Sequence, residues 1–353
     1  MNKIFIEDCC EILDSMRVPI TASKREIGEY PYYGANGIQD YVADYIFDDE
    51  LVLLAEDGGN FGSKERPIAY RVSGKCWVNN HAHVLKPKVG LDIDYLCYSL
   101  MFYKVDGLIN GATRKKLTQA AMRKMQIPFR SIKEQIHIVN ELNRIIKIKE
   151  KRQEELKLLD NLIKARFVEM FGDVIHNDRK WECRKFSDIT ASRLGKMLDT
   201  KHQTGTCQYS YLANFNVQWF GFELKNLNKM DFNEKDREEF CLEDGDLLVC
   251  EGGEIGRCAV WHNQVENCFF QKALHRVRCN QEIILPDYLA WWFKYNCDHG
   301  GFVAIEGAKA TISHLTGAKM KMLNVTVPPI GLQKQFTSFV NQVDKSKVAV
   351  QKA

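Results

Sequence analysis

The most regular hydrophobic pattern in the chain lies between Ser131 and about Gly172. Apolar side chains recur there at alternating steps of three and four residues, and the segment holds no proline and no interior glycine. This period predicts one amphipathic helix of about 42 residues, roughly 60 Å long at about 1.5 Å per residue. Lys149 and Arg152 interrupt the apolar stripe, as polar residues do where they fix the register of a coiled coil.

A shorter pattern of the same kind begins at Gly331 and reaches Ala353. We expect the two helices to form an antiparallel coiled coil, because a long amphipathic helix needs a partner for its apolar face. The expected pairing residues are Leu142, Ile145, Leu156, Leu159, Ile163, Phe336, Phe339 and Val343. The later helix is much the shorter, so we expect weakened assembly or self-association that completes the bundle.

Short β-like runs precede each helical pattern and are separated by glycine-rich turns. The runs are Glu50–Leu54, Ile68–Val72 and Trp77–Val84 in the first half, and Asp246–Cys250, Cys258–Trp261 and Leu274–Arg278 in the second. An apolar, aromatic stretch with helical character follows each set, at Asp94–Tyr103 and at Pro286–Tyr295. The pattern predicts two α+β domains joined by a helical spacer.

The two halves of the chain repeat the same landmarks in the same order, which indicates an internal duplication. Gly252 follows Gly58 by 194 residues and Leu315 follows Leu117 by 198. The paired landmarks also include His83 with His275, Asp94-Tyr95-Leu96 with Asp287-Tyr288-Leu289, and Gln135 with Gln335. The predicted fold class is therefore α+β with two similar domains in a pseudo-twofold arrangement. Residues between the landmarks differ, which suits two related domains with different targets.

Composition and charge narrow the class of protein only modestly. Apolar residues make up 45% and charged residues 27% of the chain, and the net charge is +3. We find no apolar run of the roughly 20 residues that a membrane helix needs and no secretory leader at the start, so we expect a cytoplasmic protein without membrane contact. The twelve cysteines form no Cys-x-x-Cys pair, which favours reduced, buried thiols over a metal site.

Motifs for catalysis are missing from the sequence. No Gly-x-x-x-x-Gly-Lys-Ser/Thr loop for ATP occurs, and no Asn/Asp-Pro-Pro-aromatic tetrapeptide of the kind many amino-methyltransferases use. His81 and His83 are spaced to share a strand face, but no nucleophile, base and orienting residue can be assembled around them. We therefore expect no catalytic residue, no bound cofactor and no metal in this chain.

Basic and amide side chains do cluster, and they do so at matching places in the two halves. Lysine and arginine neutralise phosphates, whereas asparagine, glutamine and arginine can read base edges. Each residue alone is more often an ordinary surface residue, but repetition favours contact with a repeated polyanion. The candidate DNA-binding residues are Lys24, Arg25, Tyr32, Tyr33, Asn36, Asn60, Asn79, Asn80, His81, Arg114, Lys115, Lys116, Lys201, Tyr211, Asn214, Asn216, Arg257, Gln271, Lys272, Lys309, Thr311 and His314.

The motif order and the duplication resemble the specificity subunit of Type I restriction-modification systems. Each helix is entered through a proline-containing segment that ends in glutamine, from Ile127 to Gln135 and from Val327 to Gln335, and the central helix ends in Phe167–Gly172. The resemblance implies target-recognition domains at 1–130 and 173–330, a central conserved helix at 131–172 and a distal conserved helix at 331–353. Two features depart from the family: Phe129 replaces the second proline of the first segment, and the distal helix ends early.

The resemblance also implies a mechanism and a set of partners. Each recognition domain would read one half of a bipartite, asymmetric target in double-stranded DNA, and the helices would fix the gap. Two methyltransferase subunits would bind S-adenosylmethionine, and restriction subunits would use ATP and Mg²⁺, in a system of host defence. Two alternatives remain open: a stand-alone nuclease with an unrecognised metal site, and a protein-binding scaffold.

Overall fold

The computed structural model describes residues 2–111, 115–198, 203–302 and 314–352. It divides the chain into two compact units, Met1–Lys151 and Arg152–Ala353, called unit 1 and unit 2 below. The division falls inside the predicted spacer helix, and the domain boundaries given above remain predictions. Among the described residues, no helix is both long enough and apolar enough to span a membrane.

Unit 1 is built on a six-stranded sheet with strand order β2-β7-β5-β6-β3-β4. Its strands are β1 Lys3–Phe5, β2 Cys10–Ile12, β3 Ile27–Gly34, β4 Gly37–Val42, β5 Phe47–Ala55, β6 Ala69–Val78, β7 Ala82–Pro87, β8 Ile109–Asn110, β9 Lys116–Leu117 and β10 Gln126–Pro128. Its helices are α1 Ile6–Cys9, α2 Ile93–Met101, α3 Gln119–Arg123 and the first part of α4 Ile132–Phe171. Residues 51–55 of β5 and 82–85 of β7 are buried, and α2 packs on the sheet through Tyr95, Leu96 and Leu100.

Unit 2 repeats this plan with the sheet divided in two. One sheet has the order β12-β20-β17-β18 and the other the order β16-β13-β19. The strands are β11 Glu182–Lys185, β12 Thr190–Leu194, β13 Gln208–Leu212, β14 Val217–Gln218, β15 Gly221–Phe222, β16 Asn228–Asp231, β17 Leu247–Cys250, β18 Cys258–Val260, β19 Phe269–Phe270, β20 Leu274–Cys279 and β21 Asn324–Val327. The helices are the end of α4, α5 Phe186–Ile189, α6 Glu234–Phe240, α7 Pro286–Asp298, α8 Gly317–Lys321 and α9 Ile330–Lys352.

The predicted α+β class with an internal duplication is confirmed, and most predicted elements have counterparts. One predicted strand, Trp77–Val84, is wrong as a single element, because a turn at Asn79-Asn80-His81 separates β6 from β7. The alternation of apolar residues continues through this turn, so the pattern alone could not show the break.

A buried glutamine lies in the first turn of each long helix. The two glutamines show which residues of the two halves correspond. Gln135 accepts a hydrogen bond from the Asp92 N–H at 2.8 Å and donates to the carbonyls of Gly90 and Arg130. Gln333 makes the same set of bonds, to the Leu285 N–H and to the carbonyls of Ile283 and Pro328. Each glutamine side chain thus satisfies one backbone N–H and two backbone carbonyls at a buried position.

This register corrects the match made from the sequence, in which Gln335 answered Gln135. The structural counterpart is Gln333, 198 residues later, the same offset that relates Leu117 to Leu315. Phe129 then corresponds to Val327, so Phe129 does not replace a proline. The repeated Gln-x-Gln spacing of Gln333 and Gln335 made the sequence match ambiguous.

Helices α4 and α9 pack antiparallel within unit 2. The Phe336 ring lies 5.5 Å from that of Phe167 and 5.4 Å from that of Phe171, while the ammonium of Lys347 lies 2.8 Å from a carboxylate oxygen of Asp160. A later residue of α9 thus meets an earlier residue of α4.

The expected helix-pairing residues divide into two groups. Leu159 and Ile163 pack in one core cluster with Phe336, Phe339 and Val343, as predicted for an antiparallel pair. Leu142 and Leu156 are half-buried. Ile145 is 61% exposed, so its expected pairing is not present among the described residues.

We predict that Phe336→Ala lowers the free energy of unfolding by about 3–5 kcal/mol, because it removes a fully buried ring and leaves a cavity. Urea unfolding followed by tryptophan fluorescence would measure this loss. Five of the six tryptophans lie in unit 2, so the signal reports mainly on that unit. Lys334→Ala, on the exposed side of the same helix, is the control. A loss no larger than that of the control would contradict the packing described here.

Candidate nucleic-acid interface

In unit 1, three segments that are distant in sequence meet beside the end of β5. They are the β3–β4 turn with Asn36, the glycine-rich loop that follows β5, and the segment that begins β9. The Asn36 amide donates to the Gly58 carbonyl at 3.0 Å, and the Leu117 N–H donates to the Glu56 carbonyl at 2.7 Å. We call this group the unit 1 loop cluster. It brings together Asn36, Asn60, His81, Lys115 and Lys116 from the predicted set.

Unit 2 repeats the same two hydrogen bonds with the same lengths. The Asn214 amide donates to the Gly252 carbonyl at 3.0 Å, and the Leu315 N–H donates to the Glu251 carbonyl at 2.7 Å. We call this group the unit 2 loop cluster, and it contains Asn214, Arg257 and His314 from the predicted set. The asparagines were predicted as DNA contacts, but in both units the amide nitrogen holds a loop in place.

Different side chains surround these two matching frames. In unit 1, His81 Nδ1 lies 2.5 Å from Asp57 Oδ1 and the Lys116 ammonium lies 3.0 Å from Glu56. In unit 2, the Arg257 guanidinium donates to Asn214 Oδ1 at 2.8 Å. The two clusters therefore present different donors and acceptors from the same backbone arrangement.

Glycine is favoured in both loops, for two different reasons. Gly58 has φ +63°, a left-handed conformation that disfavours other residues. Gly252 lies against the His314 imidazole, where an added Cβ would be only 2.8 Å from Nδ1. Both glycine pairs were predicted to form turns, and the structure adds this close contact between loop and histidine.

A buried network of charged side chains packs against the unit 1 loop cluster and stabilises it. His83 Nδ1 lies 2.7 Å from Asp14 Oδ2, and His83 Nε2 lies 2.9 Å from the Leu117 carbonyl oxygen. The Arg17 guanidinium donates to Glu56 at 2.6 Å. The network thus connects the segment after β2, strand β7 and the glycine-rich loop to β9.

The carboxylates of this network are held in their charged form. Burial by itself would raise the pKa of the Asp14 carboxyl, but hydrogen bonds from His83 and Gln119 and the charge of the imidazole lower it below its ordinary value. Burial likewise opposes ionisation of Glu56, and Arg17 and Lys116 outweigh it, so that pKa is also lowered.

The carboxylates Asp14 and Glu56 and the imidazole of His83 lie close enough together to resemble a metal site, with ligand atoms within 4.8 Å of one another. Arg17 and Lys116 already contact the same oxygens, and a bound cation would face their charges. We therefore interpret this group as an internal ion-pair network.

Unit 2 lacks the carboxylate at the corresponding place. The β12–β20 register sets Leu194 opposite His275, where unit 1 sets Asp14 opposite His83. Burial lowers the pKa of His275, and its Nε2 has no hydrogen-bond partner among the described residues. The duplicated histidine is therefore paired with an aspartate in unit 1 only.

Several predicted contacts are placed inside the protein. Tyr32, Asn79, Tyr211 and Asn216 are each at most 5% exposed, so the prediction that they touch DNA is corrected: they have structural roles. Asn216 accepts from the Ala213 N–H, for example, and the Tyr32 hydroxyl accepts from the Ile20 N–H. Aromatic and amide residues satisfy buried backbone as readily as they read bases, so their types alone could not distinguish these roles.

The remaining predicted residues lie outside the hydrogen-bonded frames. Lys24 and Asn80 are exposed, and the Arg25 guanidinium lies over the Tyr32 ring and pairs with Asp40. Gln271 and Lys272 lie beside Lys196 in the turn before β20. The predicted contacts outside the described residues are Arg114, Lys201, Lys309 and Thr311.

Sequence reasoning missed two exposed residues at the loop clusters. Arg66 lines a cavity of about 510 Å³ with Tyr33, Asn36 and Asn60 in unit 1. Phe215 follows Asn214 directly and is 56% exposed. The signal that the sequence offered was an aromatic residue directly after Asn214.

We predict that Asp14→Asn lowers the free energy of unfolding by about 3–5 kcal/mol at pH 7, because it leaves buried His83 without its carboxylate partner. A carboxyl whose pKa is lowered by folding stabilises the protein above its unfolded pKa of about 4, and that stabilisation disappears as the pH falls through the folded value. The difference from the wild type should therefore shrink at low pH in urea titrations followed by circular dichroism. Asp40→Asn, at a more exposed ion pair, is the control, and a pH-independent difference would contradict the network.

Comparison with known proteins agrees with the resemblance drawn from the sequence. The profile described as "Type I restriction modification DNA specificity domain" matches residues 1–158 and 178–353. A Haemophilus influenzae protein named as a type I restriction enzyme specificity subunit is 27% identical over 350 residues, covering 96% of this chain and 86% of that protein. The EcoprrI specificity subunit of Escherichia coli is 26% identical over 119 residues, covering 34% of this chain and 28% of that protein.

Solved structures show the same fold. The S subunit of a type I restriction-modification system from M. genitalium superposes with a TM-score of 0.58 at 13% identity, covering 99% of this chain and 91% of that one. A chain from a structure of type I complex assembly and conformational transition gives 0.59 at 12% identity, covering 99% and 92%. With both halves matched by the family profile, the chain belongs to the type I restriction-modification DNA specificity family.

Proposed function

We propose that this chain is a sequence-specific DNA-binding subunit that reads a bipartite, asymmetric target in double-stranded DNA. Unit 1 reads one half of the target and unit 2 the other. The observation that carries this proposal is the pair of loop clusters, which share two hydrogen bonds of equal length but carry different side chains. Two loop clusters with the same hydrogen-bonded backbone but different side-chain donors are suited to two half-sites that differ in sequence.

The chemistry of the exposed residues fits such a surface. Lys115 and Lys116 in unit 1 and Lys272 in unit 2 are exposed and can neutralise phosphates. The Arg257 guanidinium and the His81 imidazole can donate to base edges after small changes of side-chain conformation. Because the net charge is only +3, attraction to DNA would come from these local groups.

The chain would act without catalysis of its own. Methyltransferase subunits, two per chain, would bind S-adenosylmethionine and modify the target, and restriction subunits would use ATP and Mg²⁺. This chain would position both on DNA. Methyl transfer by the purified chain would contradict the proposal, and metal-dependent cleavage by it would favour a nuclease. DNA binding that does not weaken with salt would favour a scaffold.

We predict that Asn36→Ala and Asn214→Ala each relax base preference in one half of the target only. Each substitution releases one glycine-rich loop and should cost about 1–3 kcal/mol of discrimination at the bases that loop contacts. The measurement is selection of bound sequences from random DNA by the chain with its methyltransferase partner. Asn161→Ala, at an exposed position on α4, is the matched control. Changes in the same half for both variants would contradict the proposal.

We further predict that four residues inserted between 147 and 155 lengthen the preferred gap between the half-sites. Four residues add about 6 Å to a helix, close to two base-pair steps of about 3.4 Å. Selection of bound sequences gives the gap directly. The same insertion in the exposed turn at Asn226 is the control. An unchanged gap in the helix variant would contradict the use of α4 as a spacer.

A further inference from the structure

The duplication provides a comparison for an acidic residue at the start of one helix in each unit. In unit 1, Asp94 is the second residue of α2, and one guanidinium nitrogen of Arg71 donates to both of its carboxylate oxygens, at 2.7 and 2.8 Å. Arg71 lies on β6, next to α2. The carboxylate of unit 1 is therefore paired with an arginine of its own chain.

Asp287 is the counterpart of Asp94 in unit 2. Each is followed by a tyrosine whose hydroxyl donates to a backbone carbonyl, Tyr95 to Pro128 and Tyr288 to Thr326. Those two carbonyls are separated by the same 198 residues that relate the glutamines above. The two carboxylates thus occupy the same place in the duplicated fold.

The arginine has no counterpart in unit 2. In unit 1, Arg71 pairs across the sheet with Val52, which lies four residues before Glu56. In unit 2, the residue four before Glu251 is Leu247, and it pairs with Val260. Valine therefore stands where unit 1 has its guanidinium.

A cavity of about 450 Å³ lies at this place. Its lining includes Val260, Asp287, Trp219, Phe220, Trp291 and Asp344. No other described residue forms an ion pair or a side-chain hydrogen bond with the Asp287 carboxylate. Burial raises the pKa of Asp287 and outweighs the nearby imidazole of His262, which lowers it.

The other charges around the cavity already have partners. Lys347 pairs with Asp160 and Asp344, while Lys164 and Lys294 pair with Asp298. His262, also in the lining, pairs with Asp244, so Asp287 is the acidic group of the lining that forms no ion pair with a described residue. Among the described residues of unit 2, no cation is paired with this carboxylate as Arg71 is with Asp94.

The aromatic walls suit a flat cation. The Phe220 ring stacks on Trp291 with centroids 4.2 Å apart, and Phe220 adopts φ +61°, a left-handed conformation that is unfavourable for a bulky residue. Strained residues of this kind concentrate at functional sites. The Trp219 ring already carries a cation on its face, the Lys294 ammonium at 4.8 Å.

We propose that this cavity binds an arginine side chain supplied by a partner protein. Asp287 takes the guanidinium as Asp94 takes that of Arg71, and the rings of Trp219, Phe220 and Trp291 pack against its faces. A guanidinium combines donors for a carboxylate with a planar surface that stacks on aromatic rings, which an ammonium does not. A nucleic acid is disfavoured because its phosphates would meet Asp287. The proposal does not depend on how the loop clusters contact DNA.

The test uses the full chain labelled with 5-fluorotryptophan and followed by fluorine NMR. Nα-acetyl-arginine amide is the probe, and Nα-acetyl-citrulline amide is a neutral match of the same shape, both at constant ionic strength. The signals of Trp219 and Trp291, assigned by single substitution to phenylalanine, should shift with arginine and not with citrulline. Asp287→Asn should weaken the response at least tenfold.

Val260→Arg provides a second, independent variant, because it returns the arginine that unit 1 has. It should abolish the response by filling the cavity from within. Arg71→Val, the reverse change in unit 1, is the matched control and should leave the Trp219 and Trp291 response unchanged. Equal shifts with citrulline, equal affinity for Nα-acetyl-lysine amide, or full response in Asp287→Asn or Val260→Arg would each overturn the proposal.

Discussion

One pair of hydrogen bonds, made twice, is the constraint on which the candidate interface depends. In each unit an asparagine amide holds a glycine carbonyl and a leucine N–H holds the carbonyl of a glutamate. Without them the glycine-rich loop would have no fixed relation to the turn before it or to the segment that returns to it. A site that reads bases must hold its donors within a fraction of an ångström, so these bonds are what makes the loops usable.

The two units share this frame but stabilise it differently. Unit 1 places charged groups beneath its loops, with Asp14, Arg17, Glu56 and His83 in contact. Unit 2 has Leu194 in place of the aspartate and leaves one nitrogen of His275 without a partner among the described residues. The strand beside Asp94 carries Arg71 in unit 1, whereas the strand beside Asp287 carries Val260 in unit 2. A duplicated scaffold thus retains its backbone bonds while individual side chains take on new roles.

The sequence predicted the elements well and the site only in outline. The 3.6-residue period and the repeated glycines sufficed for α4, for the strand sets and for the duplication, because those signals are local. The role of Asn36, the burial of Asn79 and Asn216, and the register of Gln333 could not be predicted, because each depends on a residue far away in sequence. The spacing in the sequence matched Gln135 with Gln335, whereas the hydrogen bonds show that its counterpart is Gln333.

The most direct test of a divided reading surface is photocrosslinking from one residue in each loop cluster. Ile38 and Phe215 are both at least half exposed and lie two residues and one residue beyond the clamping asparagines. Each would be replaced singly by p-benzoylphenylalanine in the complex on its selected DNA. We expect crosslinks from the two positions to fall in different halves of the target. Crosslinks at the same bases, or none from one unit, would contradict the account.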